Sequence, residues 1–152
     1  MNEIRTVETT EQPTAVLRAT VPMDELPAFF ARAFAAAAAT IGQQGQFPVG
    51  PPFGLYRGMP TTVVDVEAGF PVTTPVEASG EVVPSTLPGG RVVEAVHVGP
   101  YDTMGETYGQ VEQWMVGQRL VPGPVVWESY LRDPEHEPDP ATWRTVIHWS
   151  LA

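Results

Sequence analysis

The chain spells out one programme of secondary structure twice, and this repetition constrains its fold more than any other feature. Residues 15–21 (AVLRATV) are rich in branched side chains and stop at Pro22, which reads as a strand. Asp24 then offers an N-cap. In the segment LPAFFARAFAAAAATI the larger apolar residues fall at Leu26, Phe29, Phe30, Phe34 and Ile41, with Ala33 and Ala37 between them. That is the 3.6-residue stripe of an amphipathic helix, with Pro27 tolerated in its first turn and Gly42 and Gly45 marking its end. Residues 51–57 and 61–72 follow as a hairpin-like pair of strands.

From Arg91 the programme restarts. Residues 91–98 (RVVEAVHV) alternate like a strand and stop at Gly99-Pro100. Asp102 or Thr103 caps a helix with Met104, Tyr108, Val111, Trp114 and Met115 on its apolar face. Thr103 with Glu106 has the form of a capping box, and Gly117 closes the helix. Residues 125–131 (VVWESYL) and 143–151 (WRTVIHWSL) are the last two strands, joined by the acidic turn DPEHEPDPAT. Tyr56 and Tyr130 lie 74 residues apart, each closely followed by an arginine, Arg57 and Arg132. Two copies of this length describe a duplicated domain and not a solenoid.

The expected architecture is therefore α+β over residues 1–152. Repeat one takes residues 15–72, a Pro/Gly/Ser-punctuated connector 73–90, and repeat two 91–151. Residues 1–14 form a loose lead-in with a short strand near 4–7, and the connector holds a strand near 76–83 bounded by Pro75 and Pro84. Each copy alone exposes the apolar side of a small sheet. Packing the two against each other buries it and leaves a groove along the pseudo-two-fold axis.

Composition narrows the function classes. Eighteen acids against eight bases give a formal charge of −10, which repels polyphosphate and anionic lipid and favours cationic ligands. Direct nucleic-acid binding and membrane association are not expected. No apolar run approaches a membrane span, and the polar, acidic start lacks a signal segment, so the expected location is cytoplasmic. The absence of cysteine removes disulfides and thiolate sites. His97, His136 and His148 show no metal-ligand spacing, and no phosphate-cradling glycine pattern occurs. The chain is expected to carry no metal and no cofactor.

Glu128 is the leading candidate site residue. It interrupts the apolar run VVWESYL, where alternation puts Val126, Glu128 and Tyr130 on one face and Trp127, Ser129 and Leu131 on the other. A carboxylate facing a core is costly unless partnered, its pKa rises, and it attracts a cation. Two plainer possibilities stand beside this: a solvent-facing glutamate on an edge strand, or one paired with Arg57 or Arg144. Aromatic side chains would suit the walls of a pocket for a flat lipophilic cation. The candidates are Tyr130, Tyr56, Phe53, Tyr101, Trp127 and Trp143, with His97 beside them and Trp149 at the end of the last strand. The position 74 residues before Glu128 is Gly54, so one copy is expected to supply the acid and the other open space.

The strings HVGPYDTM, PVVWESYL-R-DP and WRTVIHWSL, in this order within the duplicated frame, resemble the GyrI-like small-molecule-binding domains. These are the effector-binding domains of AraC-type and MerR-type multidrug regulators, found also free-standing. The resemblance spans residues 15–151. It implies a cleft in which the matching glutamate, Glu128, contacts cationic ligands. It also implies a second activity for some free-standing members, hydrolysis of the cyclopropane ring of DNA-alkylating natural products within an aromatic cage. Glu128 and Tyr130 would then be the catalytic residues. A protein partner, as for the family's gyrase-inhibiting member, ranks below both, because the acids here are scattered. Only about 14 residues precede the first strand, so a free-standing form without a helix-turn-helix is expected.

Overall fold

A computed structural model describes residues 3–58, 62–131 and 139–152. Arg132, Asp133 and His136 fall outside them. Among the described residues the chain forms eight strands, β1 (Ile4–Thr9), β2 (Gln12–Pro22), β3 (Phe53–Arg57), β4 (Val63–Pro71), β5 (Val83–Leu87), β6 (Gly90–Val98), β7 (Pro122–Tyr130) and β8 (Arg144–Leu151). Helix α1 (Leu26–Gln43) links β2 to β3, and α2 (Met104–Gly117) links β6 to β7.

All strands pair antiparallel in one sheet of order β1-β6-β8-β7-β3-β4-β2-β5. The order is the same plan read from either end, with the join between β7 and β3. The two copies therefore meet edge to edge through a shared ladder. The expected α+β duplication of antiparallel strands with one main helix per repeat holds, and its two half-sheets are joined along one edge, where main-chain pairing of β3 with β7 satisfies two edges at once.

The sheet is strongly curled. In sheet order β1 and β2 stand six strand spacings apart, about 29 Å if flat. Yet only Thr10 and Glu11 connect them, and three Cα steps span at most about 11 Å. The two-residue link from β5 to β6 imposes the same bend at the same end, where the Thr9 hydroxyl donates to the Pro88 carbonyl at 3.0 Å.

Alternation assigns the strands' side chains to two faces. On one, α1 buries Phe29, Ala33 and Ile41 against Ala15, Leu17, Val66 and Ala68. On the same face α2 buries Val111 and Met115 against Val93, Ala95, Ile147 and Trp149. The opposite face carries a third cluster of Val16, Phe53, Leu55, Val92 and Trp127. Removing such residues from water is the main stabilising term, worth roughly 1.5–3 kcal/mol for each large apolar side chain.

Several local expectations are corrected. Each helix is entered through a 3₁₀ turn, Met23–Glu25 or Tyr101–Thr103, and neither Asp24 nor Asp102 caps it through its side chain. Thr103 makes no cap either, because its hydroxyl is turned back to the Pro100 carbonyl at 2.9 Å. The helix ends do fall where expected, α1 at Gln43 between Gly42 and Gly45 and α2 at Gly117. Gly45 (φ 74°) and Arg119 (φ 58°) take the left-handed position of matching C-terminal motifs, with Gln46 N–H to Ile41 and Leu120 N–H to Met115. The connector strand is β5, shifted to Val83–Leu87 with Pro84 inside it. Only one side of this edge strand is paired, so the missing N–H is tolerated.

Candidate functional site

Between the first turn of α1, the middle of α2 and the sheet lies a cavity of about 390 Å³. Its walls are largely apolar: Met23 and Leu26 from the α1 entry, Val64 from β4, Val126 from β7 and Trp149 from β8. Tyr56 and Tyr108 add aromatic faces, and two acids, Glu128 and Glu112, reach it. None of the described lining residues is Lys or Arg.

Glu128 sits near the centre of the sheet, where it is the register partner of Gly54 across β3 and β7. Its carboxylate is held on both oxygens. The Tyr130 hydroxyl donates to Oε1 at 2.8 Å, and the Tyr108 hydroxyl donates to Oε2. Two phenols thus converge on the one carboxylate, and Tyr56 lines the cavity beside them. Burial, followed by the nearby Glu128 charge, pushes all three phenols above the usual tyrosine range, so they remain protonated donors.

Burial also raises the Glu128 carboxyl above its ordinary range, and the two tyrosine hydrogen bonds and His97 offset only part of that rise. Among the described residues Glu128 makes no ion pair. Arg57 points to the other face, where it pairs with the buried Glu67. Arg144 stands in register opposite Val98. An acid this poorly solvated holds its charge at a cost that a cation in the cavity would relieve.

The other sequence candidates divide by location. Tyr56 lines the cavity, and Tyr130 stands behind Glu128 within an aromatic row. Its ring meets Phe30 edge-on at 6.0 Å and Tyr101 at 5.7 Å, and Tyr101 lies 5.0 Å from Trp143. Tyr101 and Trp143 therefore back the acid without lining the cavity. Phe53 and Trp127 do not reach it. Each is one residue out of phase with Glu128 or its partner Gly54, so both point to the opposite face. There they line a shallower depression with His148, whose ring stacks on Trp127 at 5.0 Å. His97 is buried outside the cavity lining, between Thr107 (Nδ1 to Oγ1, 2.6 Å) and the Pro100 carbonyl (Nε2 to O, 2.9 Å).

The open space expected at Gly54 is also corrected. A Cβ there would stand 2.9 Å from the Phe30 ring and 3.2 Å from the Tyr130 hydroxyl. The glycine admits protein side chains, not a ligand. Tyr108 and Glu112 were not singled out in the sequence as site residues. Tyr108 could have been found from its place on the α2 apolar stripe, because a buried phenol needs a hydrogen-bond partner.

No helix among the described residues is long and apolar enough to cross a membrane, and none of their His, Asp and Glu side chains cluster to hold a metal ion. The sequence matches the family of GyrI-like small molecule binding domains over residues 2–151. None of the curated proteins matches it. Among solved structures it is similar to the C-terminal domain of EcmrR, with a TM-score of 0.81 and 21% identity over 100% of this chain and 97% of that one. It spans 57% of the longer EcmrR chain in a complex with DNA. A hydrolase of Listeria innocua is similar with a TM-score of 0.70 and 14% identity, covering 99% of this chain and 92% of that one. SAV2435 bound to tetraphenylphosphonium has a TM-score of 0.69 and 10% identity, with 99% and 94% covered.

Proposed function

Because this chain belongs to the GyrI-like family of small-molecule-binding domains, we propose that its ligand is a lipophilic, aromatic cation held in the cavity against Glu128. The observation that supports this is a carboxylate inside an apolar cavity with two phenol donors and no basic side chain among its described lining residues. The phenols fix the acid's orientation but supply no positive charge. A bound cation restores the lost solvation in a medium where Coulomb attraction is poorly screened. Tyr56, Tyr108 and Trp149 offer aromatic faces to the rest of the ligand. The net charge of −10 raises the encounter rate with cations. Such a protein serves to sequester or sense a xenobiotic.

Calorimetric titration with tetraphenylphosphonium tests this reading. The wild type binds, and Glu128→Gln binds at least tenfold more weakly, as for loss of a charge partner in a desolvated site. Equal affinity in both would refute the role of the carboxylate.

A second reading is favoured by the contact of Tyr130 with Glu128 beside Phe30, Tyr101 and Trp143. A carboxyl with a raised pKa can polarise a dienone carbonyl or orient a water, and a phenol can donate beside it. This is hydrolytic opening of a cyclopropane ring in a DNA-alkylating natural product. Incubation with such a compound and mass spectrometry for the gain of one water decides it. Binding without turnover removes this reading for that class.

A further inference from the structure

The cavity holds two carboxylates at two depths, and the proposed cation site uses only one. Glu128 lies on the sheet, half-buried. Glu112 lies on α2, exposed, yet it lines the same cavity. The two are connected through Tyr108. That residue precedes Glu112 by four positions, so both project from one face of α2, and the Tyr108 hydroxyl reaches down to Glu128. Tyr108 therefore spans the depth between the acids. One helical turn of rise, about 6 Å, together with the shorter reach of a glutamate, puts the two carboxylates roughly 6–10 Å apart. Among the described residues no base lines the cavity to neutralise either acid, and Glu112 makes no ion pair.

We infer that the cavity is a two-point site selective for dications, with Glu128 taking one cationic centre at depth and Glu112 taking a second at the mouth. The inference rests on the cavity being a cation site, and it adds a ligand class: two quaternary ammonium, amidinium or similar groups held apart by a rigid apolar spacer of about one aromatic ring. The volume of about 390 Å³ suits a ligand of that size and is lined mainly by apolar side chains where the spacer would lie. Met23 and Leu26 line the cavity from the side of α1, and no base stands among its described lining residues to compete for Glu112.

A matched pair of probes separates the two carboxylates. Benzyltrimethylammonium carries one charge, and p-xylylene-bis(trimethylammonium) adds a second across the ring. The wild type is expected to bind the dication about two- to fivefold more tightly, the worth of one solvent-exposed ion pair. Glu112→Gln should abolish that preference, so that the two probes bind the variant with equal affinity, and added salt should erase it similarly. Glu128→Gln should weaken both probes. Equal affinity of the wild type for the two probes, or a dication preference that survives Glu112→Gln, would overturn the two-point site while leaving the Glu128 reading intact. Failure of both probes and of tetraphenylphosphonium to bind, or undiminished binding by Glu128→Gln, would instead overturn the cation site itself, and the two-point site with it.

Discussion

The two copies of the β-α-β-β unit end their helices with the same hydrogen-bond pattern but fill the centre of the sheet in opposite ways. The left-handed residue after α1 is Gly45, and the one after α2 is Arg119, 74 positions on. The helix starts, Leu26 and Met104, are 78 positions apart, because α1 has 18 residues and α2 has 14. One turn of helix accounts for the change of offset. At the join, Gly54 of the first copy pairs with Glu128 of the second, again 74 positions apart. The glycine lets Phe30 of the longer helix descend onto the sheet. The glutamate keeps the corresponding place polar. Duplication has thus made one half into packing and the other into a charged wall, and the cavity lies where they meet.

Giving the first copy a side chain at the join breaks this division most severely. Gly54→Ala puts a Cβ against the Phe30 ring and should cost about 1–3 kcal/mol, the usual range for overpacking. Denaturant unfolding measures it, and adding Phe30→Leu to the variant should recover part of the loss. A variant as stable as the wild type would show that Phe30 is not held by the glycine.

Removing the charge from the second copy should act in the opposite sense. Burial raises the Glu128 carboxyl, so the folded protein holds this proton to higher pH than the unfolded chain does. Its contribution to stability is therefore fully present at low pH and declines as pH rises through the folded pKa. Glu128→Gln escapes that decline, so its stability relative to the wild type should climb with pH, seen as a Tm difference that grows from acid to neutral conditions. The opposite face behaves in reverse. Burial raises the Glu94 carboxyl, but hydrogen bonds from Arg5 and His148 outweigh it and hold it below the usual range, while burial lowers the His148 imidazole. Both contributions are present at neutral pH and fade as pH falls through the folded pKa values. Glu94→Gln should therefore flatten the acid limb of the wild-type stability curve.

The smallest expected effect is at the helix ends. Arg119→Gly makes the second motif like the first and should raise stability by up to about 1 kcal/mol, since only glycine takes a left-handed φ without a steric penalty. A loss of stability would show that the Arg119 side chain contributes contacts beyond its backbone role.

The repeat and its elements were legible because each rests on local pattern. The two amphipathic stripes and the alternation of VVWESYL place Phe29, Val111 and Glu128 on the faces they occupy. The joint was not legible. Whether two half-sheets stack or share an edge depends on main-chain pairing between β3 and β7, which leaves no mark in side-chain periodicity. The same limit explains Phe53 and Trp127. Aromatic character marks a residue as a candidate wall, but one step of strand phase moved both to the far side of the sheet. Tyr108 and Glu112 belong to the site only because the fold brings α2 over the central strands, a tertiary fact.

The proposed cation site depends on the Glu128 carboxyl, whose charge is poorly solvated in the free protein. Carbon-13 NMR of glutamate-labelled protein, titrated with and without tetraphenylphosphonium and assigned with Glu128→Gln, measures this directly. The free protein should show one carboxyl titrating above the ordinary glutamate range, and saturation with the cation should lower that value, with affinity falling as pH drops through it. A Glu128 carboxyl that titrates in the ordinary range, unmoved by the ligand, would rule out its role as the cation's partner.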